Sequence, residues 1–388
     1  MSHPHRKSFL AARSLLMTGA LALLTPRAAR AESGLTYKFE DYQESSGRVG
    51  VQAHYGLFEQ ALGTEARIKL TGVIDVIAGA TPTGQAPTTQ GGDVPLTDMH
   101  DRREAWTADY SRQFGRTNVG LGFANSRESD YVSNGGSLNT LTDFNDKNTT
   151  LLLGVSATSD KVKVFYQDGR EAKRSFDIVV GVNQLINPKT AVTLNLSFGH
   201  ISGYQSDPYK IISKSTELLP GVFLPLTFPE NRPASRNKWI LYSSMNHTVD
   251  GGNGAIEASY RLYHDSFGTT SHTLGVTWLQ RLGSKVLLVP SFRFYQQGAA
   301  DFYHVSLDGT DIVPGDTPNT AGPFFSADYR LTKLRSLTYG LKLVWNPTER
   351  LHFDLAYDRY TMTGLDGVTS DSAYPKAGIV TAGAGISW

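Results

Sequence analysis

The sequence places two carboxylates around a histidine at one point, within Thr97–Asp101. Asp98 and Asp101 flank His100, and these residue types could form an acid–base pair. The same aspartates, together with Asp93, could supply oxygen ligands to calcium. No second Asp–His or Asp–Asp pair accompanies them, and acidic residues are common in solvated loops. We therefore expect neither a catalytic site nor a metal site at this point.

Serine and histidine also come close together in two other segments. His264 and Ser266 share a face of a predicted strand, whereas Ser271 and His272 are neighbours and point to opposite faces. Adjacent strand residues cannot form a nucleophile–base hydrogen bond, and no lipase-type motif surrounds the other pair. The sequence thus favours a protein that is not an enzyme, and an outer-membrane hydrolase is the weakest function considered.

Composition removes several further kinds of site. The chain contains no cysteine, which excludes disulfides, zinc–thiolate sites and thiol nucleophiles. Its net charge of +1 argues against nucleic acid as a partner. No residue pattern indicates a cofactor. Beyond the N-terminus no apolar run reaches the roughly 18 residues of a membrane-spanning helix, so membrane insertion would have to come from alternating strands.

The first 31 residues have the pattern of a signal peptide. A basic stretch precedes the apolar segment Leu15–Leu24, and Ala29 and Ala31 occupy the small positions of a cleavage site. We expect cleavage after Ala31. His5–Leu10 also resembles a twin-arginine export signal, but a barrel must cross the inner membrane unfolded, which favours the general secretory route. Residues 32–388 then form the mature domain.

Alternation of apolar and polar residues recurs through this domain and predicts β-strands. Short turns and longer connections alternate, with turns expected near Thr158–Asp160 and loops expected at Asn134–Lys147 and Gln205–Ser235. This pattern predicts an all-β fold, a transmembrane antiparallel β-barrel of about 16 strands. The weakest strand is Lys161–Tyr166, and loss of its hairpin would leave 14. A soluble sandwich is the alternative, but its strands need neither aromatic flanks nor alternating loop lengths.

Charged residues of both signs fall on the face of these strands expected to point inward. An interior this polar must be wet or ion-paired, and a 16-stranded barrel is wide enough for an aqueous channel. The expected lumen-facing residues are Arg67, Lys69, Asp75, Asp109, Asp177, Glu257, Arg261, Lys342, His352, Asp354 and Asp358.

The last segment, Gly378–Trp388, alternates almost without interruption and ends on an aromatic residue. Its apolar face carries Ile386 and Trp388, while its other face is small and uncharged. We expect this strand to close the barrel against the first one, with Trp388 and Ile386 as the assembly signal that the barrel-assembly machinery reads. The expected environment is the lipid and lipopolysaccharide of a Gram-negative outer membrane.

Five segments in order resemble an uncharacterised family of outer-membrane proteins that is catalogued as a domain of unknown function. The most specific is Asp75–Gly84; the others are Lys38–Glu44, Asp101–Arg103, Ser126–Tyr131 and Phe144–Thr149. The resemblance implies a barrel over the whole mature chain and no established activity. Members lie near genes for flavin-attaching enzymes and thioredoxin-like proteins, which implies a possible periplasmic redox partner and assigns no residue.

The Asp75–Gly84 segment allows two interpretations. Thr81–Gly84 has the residues of a turn, with Pro82 second and Gly84 fourth, and Gly79 relaxes the backbone before it. The favoured interpretation is a determinant of loop folding, and the less favoured one is a constriction loop that folds into the pore, with Gly79, Thr81, Pro82 and Gly84 as its residues.

Two non-enzymatic functions therefore remain open. The leading hypothesis is a porin-like channel, or a conduit for a periplasmic partner. The alternative is a plugged structural or docking barrel, whose loops Gln205–Ser235 and Gln296–Phe325 fill the lumen or bind external ligands. These loops are rich in proline and aromatic residues, which favours ordered caps over mobile segments.

Overall fold

The computed structural model describes residues 33–87, 89 and 92–388, so the predicted cleavage residues Ala29 and Ala31 lie outside it. The described chain is almost entirely β-structure, with two short 3₁₀ helices at Tyr329–Leu331 and Asp371–Ala373. The strands are β1 (Gly34–Glu44), β2 (Gly50–Leu62), β3 (Ala66–Pro82), β4 (Leu96–Phe114), β5 (Thr117–Arg127), β6 (Tyr131–Phe144), β7 (Thr149–Lys163), β8 (Arg170–Asn187), β9 (Thr190–Gly203), β10 (Ile211–Leu219), β11 (Val222–Pro229), β12 (Ser235–Val249), β13 (Gly254–Asp265), β14 (Thr270–Leu282), β15 (Val286–Gln297), β16 (Leu334–Trp345), β17 (Leu351–Gly364) and β18 (Lys376–Ser387).

All strands except β10 and β11 form one closed antiparallel barrel, in which each strand pairs with its neighbours in sequence. The strands β10 and β11 form a separate hairpin inside the β9–β12 connection, so β9 pairs directly with β12. Closure occurs between β1 and β18, from Gly34 opposite Ser387 to Glu44 opposite Ala377. The predicted 16-stranded barrel is confirmed, and the alternative of 14 strands is wrong.

The sequence misplaced one hairpin within this correct total. The expected loop at Asn134–Lys147 is mostly strand β6, and the expected turn at Thr158–Asp160 lies inside β7. The real turn is at 145–148, where Asn145, Asp146 and Lys147 all adopt positive φ. Lys161–Tyr166 is therefore not a separate strand. Gly135 and Gly136, inside the expected loop, both pair across to β5 and β7.

The two faces of the wall differ in chemistry. Asp75 and Asp354 are buried, whereas their strand neighbours Ile74, Val76 and Leu355 are exposed, so the apolar face is the outer one. Large apolar residues continue this outer face around the ring, among them Leu70, Trp106, Leu121, Phe123, Val155, Phe176, Leu196, Trp239, Leu274, Phe292 and Leu341. A continuous apolar outer wall of this kind is typical of a barrel that spans a membrane. Within the described ranges, no helix has the length and hydropathy needed to cross one.

The connections sort by length onto the two ends of the barrel. One end, the short-turn end, carries brief turns such as 115–116 and 188–189 and also Ser33 and Trp388, whose backbones are hydrogen-bonded to each other. The other, the long-loop end, carries the connections 83–95, 204–234, 298–333 and 365–375. The two buried apolar clusters of the described residues lie at the long-loop end.

Candidate functional site

The two longest connections, 204–234 and 298–333, fold together into one unit, called the cap below. Its first apolar cluster joins them: Ile212 and Leu307 are fully buried and pack with Phe325 and Ala327. A two-way backbone bridge between Asn231 and Phe325 adds a second link. A barrel wall has no apolar interior, so these clusters give the cap a small hydrophobic core of its own.

A second apolar cluster fixes the cap to the wall. The rings of Phe267 and Phe302 lie edge-to-face with centroids 5.0 Å apart, and Ala300 and Leu331 complete the cluster. The backbone N–H of Asp301 donates to the carbonyl of Phe267 at 2.9 Å. The 298–333 segment is therefore packed against the β13–β14 loop rather than extending away from the barrel.

Buried charges hold the two cap segments together. Arg232 donates to Asp328 at 2.7 Å and to Glu230 at 3.0 Å, and Arg330 donates to Asp207 at 2.5 Å. Arg330 also bonds Asp328, at 2.8 Å from its Nε to Oδ1. Charges are expensive to bury unless they are paired and hydrogen-bonded, and these satisfy each other. Together with Lys210, these five residues form what we call the cap charge cluster.

The pKa values of the cluster reflect both burial and pairing. Burial is the largest effect on the pKa of Asp328 and of Asp207 and would raise both, but Arg330, Arg232 and Lys210 together outweigh it and hold the pKa of both carboxyls below the ordinary value. Burial raises the pKa of Glu230, against the opposing effect of Arg232. Burial also lowers the pKa of Lys210 to about 8, although Asp328 and Asp207 act in the opposite direction. The cluster thus combines three acidic and three basic side chains whose charges act on one another.

On one side the cap contacts the loops that follow β3 and β5. The backbone N–H of Ile211 donates to the carbonyl of Thr83 at 3.0 Å, and Lys210 donates to the carbonyl of Pro82. The hydroxyl of Tyr209 donates to Asp130 at 2.5 Å. The cap, which leaves the wall at β9, therefore reaches strands that lie far around the ring.

On the other side the cap contacts the β17–β18 loop, which in turn contacts the loops beside β1 and β3. Tyr303 and Thr369 are hydrogen-bonded at 2.6 Å, and Thr332 and Tyr374 at 2.9 Å. Within the same loop, Ser372 accepts from Arg48 at 2.8 Å and from the Val94 N–H at 3.0 Å.

These contacts cross the opening of the barrel. In the ring, five strands separate β3 from β9, three separate β9 from β15, and five separate β15 from β3. Segments that leave the wall at these three distant points nevertheless touch each other directly. They can meet only across the opening at the long-loop end, so the cap spans that end.

The end of the segment Asp75–Gly84 packs against the cap. Thr81 and Pro82 are not a turn, as the sequence suggested, but continue β3 opposite Thr97 and Leu96, because the pairing register with β4 runs on to this point. Both are buried. Gly84 has a φ of +103°, and a Cβ there would lie 2.7 Å from the carbonyl oxygen of Ile211, so the cap backbone packs directly onto it.

Gly79 is constrained in a similar way. Its φ is +123°, and a Cβ would lie 2.3 Å from the carbonyl oxygen of Arg48. The contacts of Gly79, Thr81, Pro82 and Gly84 are thus with neighbouring loops and with the cap; a role in a pore constriction stays a prediction.

Several of the predicted lumen residues form ion pairs along the wall. Asp75 bonds Arg103 of the adjacent strand at 2.5 Å, and Asp354 lies 3.3 Å from Lys342 and 3.9 Å from Lys38. The Lys38–Asp354 pair passes over Gly383 of β18, the strand between β1 and β17. A Cβ on Gly383 would lie 2.3 Å from Asp354, so only glycine leaves room for this pair.

The same arrangement recurs on the other side of the barrel. Asp177 of β8 lies 3.1 Å from Lys238 of β12, above Gly199 of β9, and a Cβ at Gly199 would lie 2.2 Å from the carboxylate. Among the described residues, these wall pairs join neighbouring or next-but-one strands and do not reach across the lumen. They line it without filling it.

The remaining predicted lumen residues are spread around the ring. They take these places: Arg67 lies 3.9 Å from Glu59, Lys69 is opposite Asp109, Glu257 is opposite Thr277, the guanidinium of Arg261 lies 5.8 Å from the ring of Tyr263, Asp358 is opposite Gly340, and His352 is opposite Gly385. The structure therefore does not gather the predicted residues into one site.

Sequence reasoning missed the cap charge cluster. The notable pairs are distant in the chain, such as Asp207 with Arg330 and Arg232 with Asp328, and they lie in segments without periodicity. The only available signal was the density of proline and aromatic residues in the two loops, which correctly indicated order.

The His and Ser residues considered for catalysis have other partners. His264 is hydrogen-bonded to Thr270 at 2.9 Å and His272 to Tyr260 at 2.8 Å. Ser266 accepts from the Asn237 N–H at 3.0 Å. The structure therefore brings neither Ser–His pair into a nucleophile–base contact.

Three carboxylates do come together near the mouth, at Asp101, Glu128 and Asp130, with oxygens within 4.8 Å of one another. Of the three aspartates considered for calcium, only Asp101 belongs to this group. Burial raises the pKa of Glu128 to about 7, with the Asp130 carboxylate acting in the same direction. Tyr209 of the cap donates to Asp130, so this group of carboxylates also contacts the cap.

Three solved structures align with most of this chain at low sequence identity. CdiB from Acinetobacter baumannii aligns with a TM-score of 0.49 and 6% identity, over 93% of this chain and 61% of that one. A bacterial polysaccharide outer membrane secretin aligns with a TM-score of 0.47 and 10% identity, over 93% and 100%. The siderophore receptor PirA from Pseudomonas aeruginosa aligns with a TM-score of 0.44 and 12% identity, over 93% of this chain and 62% of that one.

This chain thus spans about three-fifths of the length of such a receptor. No curated protein matches the sequence. A family model described as a protein of unknown function, DUF3570, matches residues 8–168 and 164–373, nearly the whole chain. The 16-stranded capped barrel therefore belongs to the DUF3570 family.

Proposed function

We propose that this protein is a conduit in the outer membrane of a Gram-negative bacterium, a porin-like channel whose external mouth is closed by the cap. The observation that carries the proposal is the set of contacts over the mouth, in which Ile211 meets Thr83 and Arg232 meets Asp328. Short turns face the periplasm and long loops face outward in barrels of this type, which places the cap outside.

The lumen below the cap has the chemistry of a water-filled passage. The inward side chains of Lys38 and Lys342 remain 40% and 37% exposed although both belong to ion pairs. Wall pairs hold the charges against the strands, so that polar solutes would meet a charged but open surface. The lumen carries both signs of charge, and we propose no ion selectivity.

The test is single-channel conductance of the purified barrel in planar bilayers. We expect small or rare steps for the full-length protein and larger, stable ohmic steps when 205–234 is replaced by a short Gly–Ser linker. Replacing the exposed turn 250–253 by the same linker is the matched control and should change nothing, since it lies at the short-turn end. A silent barrel after cap removal would refute the channel.

A second candidate is the docking barrel, and the hairpin β10–β11 favours it. At its tip the large side chains of Leu219, Val222, Phe223 and Leu224 are exposed, which is costly in water. A barrel that stays silent without its cap, and that loses adhesion to a surface when the tip is changed to serine, would support this function over the channel.

The partners belong to the same proposal. The barrel-assembly machinery would fold the chain, and membrane lipid and lipopolysaccharide would surround it. A periplasmic redox partner would have to reach the barrel at the short-turn end. Co-purification with the periplasmic fraction, with and without substitution of the turns at 115–116 and 250–253, tests that partner.

A further inference from the structure

A cluster of five cations lies on the outer face of the wall, at the long-loop end of β5, β7 and β8. Its members are Arg127, Lys161, Lys163, Arg170 and Arg174, all of them exposed. We call them the outer cationic patch. They share the outer face with the apolar residues Phe123, Val155 and Phe176, while the buried pair Asp160 and Lys173 lies on the inner face.

Two of the five cations have a carboxylate nearby: Arg127 is directly opposite Glu104 in the β4–β5 register, and the charge of Arg170 acts on the Asp130 carboxylate. Among the described residues, no carboxylate lies within ion-pair distance of these five cations, whereas on adjacent β4 the outward Arg102 pairs with Glu104 at 3.0 Å. Glu171, which follows Arg170 in the chain, accepts instead from Gln167 at 2.6 Å. Within the part of the chain that the structure describes, no ion pair offsets the positive charge of the other three cations, Lys161, Lys163 and Arg174.

Two of the cations even face each other. Lys163 and Arg170 are register partners on β7 and β8, and like charges directly opposite in a sheet are destabilising. Arg170 is held in this position by donating to the carbonyl of Ser129 at 3.1 Å and, more weakly, to that of Lys161 at 3.4 Å. An anion bound between Lys163 and Arg170 would attract both side chains and offset their mutual repulsion.

The position along the strands indicates which anion. On β8 Arg174 occupies the outward position next to Phe176, and on β5 Arg127 lies one outward position beyond Asn125, which follows Phe123; Phe123 is 63% exposed. Aromatic residues in this place mark the interface between hydrocarbon and headgroups. Cations two to six residues further out along these strands therefore lie at the level of the headgroups of the outer leaflet, where phosphate is the characteristic anion.

We propose that the outer cationic patch binds the phosphorylated disaccharide headgroup of lipopolysaccharide. Arginine can bind a phosphate through two parallel N–H groups, and the lysines add positive charge beside it. Phe165, exposed in the 164–169 loop, offers an apolar surface to the sugar or the first acyl carbons. The inference rests on the outer-membrane placement in the proposed function, but not on conductance.

The test is titration of the detergent-solubilised barrel with fluorescent lipid A. The variant Lys161→Gln/Lys163→Gln/Arg174→Gln removes three cations and spares Arg170, whose backbone hydrogen bonds support the loop. Near an anionic surface each cation contributes enough that we expect binding to weaken about 100-fold. Heat-modifiable mobility on gels confirms that the variant barrel is folded.

The matched control is Lys147→Gln/Arg281→Gln/Lys285→Gln, which makes the same charge change in turns at the short-turn end and should leave binding unchanged. Removing the phosphates of lipid A should abolish binding to the wild type. Equal binding by the patch variant, or equal binding of dephosphorylated lipid A, would overturn the proposal. If inorganic pyrophosphate competes as strongly as unlabelled lipid A, the site binds free phosphate instead. If phosphatidylglycerol vesicles compete as strongly, the site binds anionic lipid in general.

Discussion

Replacing Asp328 by asparagine should open the cap while leaving the barrel intact. Asp328 is 1% exposed and accepts from Arg232 at 2.7 Å and from Arg330 at 2.8 Å. Asparagine has nearly the same shape, but its loss of charge leaves both arginines without their shared counter-ion. Removing one partner of a buried pair costs about 3 to 5 kcal/mol. We take the lower limit, because the asparagine oxygen still accepts one hydrogen bond.

A cost of about 3 kcal/mol raises the equilibrium population of the open cap by about two orders of magnitude, at 1.4 kcal/mol per factor of ten. The change is confined to the cap because Asp328 contacts cap residues, whereas the wall is held by its own strand pairing. The barrel should therefore keep its strand content and its heat-modifiable mobility.

Hydrogen exchange and conductance together measure the effect. Amide exchange in 204–234 and 298–333 should accelerate about 100-fold in the Asp328→Asn variant, and conductance steps should become more frequent. Asp316→Asn changes an exposed carboxyl in the same segment and is the control. Wild-type exchange in the cap of a folded Asp328→Asn barrel would refute the reasoning that the cap charge cluster holds the mouth closed.

Two further predictions concern the cap and the closing strand. Burial lowers the pKa of Lys210 from 10.5 to about 8, so the unfolded segment binds more protons between about pH 8 and 10.5, and cap stability should rise with pH across this window. The open probability of the wild-type channel should therefore be lower at pH 10 than at pH 7.5. A Lys210→Met variant with the same pH dependence would show that Lys210 is not the group responsible. Trp388→Asp should lower the amount of folded barrel in the outer membrane several-fold, because Trp388 lies beside Phe58 with ring centroids 6.4 Å apart and its backbone pairs with Ser33 at the closing seam. Trp388→Phe should restore it, and normal abundance of Trp388→Asp would count against an assembly role.

The barrel was predictable because a strand exposes alternate residues to opposite faces. Asp75 lies between Ile74 and Val76, and this alternation by itself predicts which face of β3 points inward, whichever strands pair with it. The one misplaced hairpin shows the limit of local signals. Gly135 and Gly136 look like a turn in the sequence, but pairing with both neighbouring strands keeps them in β6, and the turn forms where Asn145 and Asp146 can adopt positive φ.

The candidate site was predictable only in outline. The sequence indicated that the two long loops are ordered, but not that Asp207 pairs with Arg330 or that Lys210 reaches Pro82. These partners are more than 100 residues apart in the chain, and no repeat relates one to the other. Their pairing depends on the order in which the strands close the ring.

The sequence by itself determined a membrane-type barrel of 16 strands, its inner and outer faces, and the strand that closes it, because these follow from a period of two and from the lengths of the connections. Only the tertiary structure decided that the mouth is covered, that the inward charges pair along the wall, and that five cations gather on one outer face. Each of these features depends on the register between paired strands, because the register decides which side chains become neighbours. The sequence of one strand alone does not specify that register.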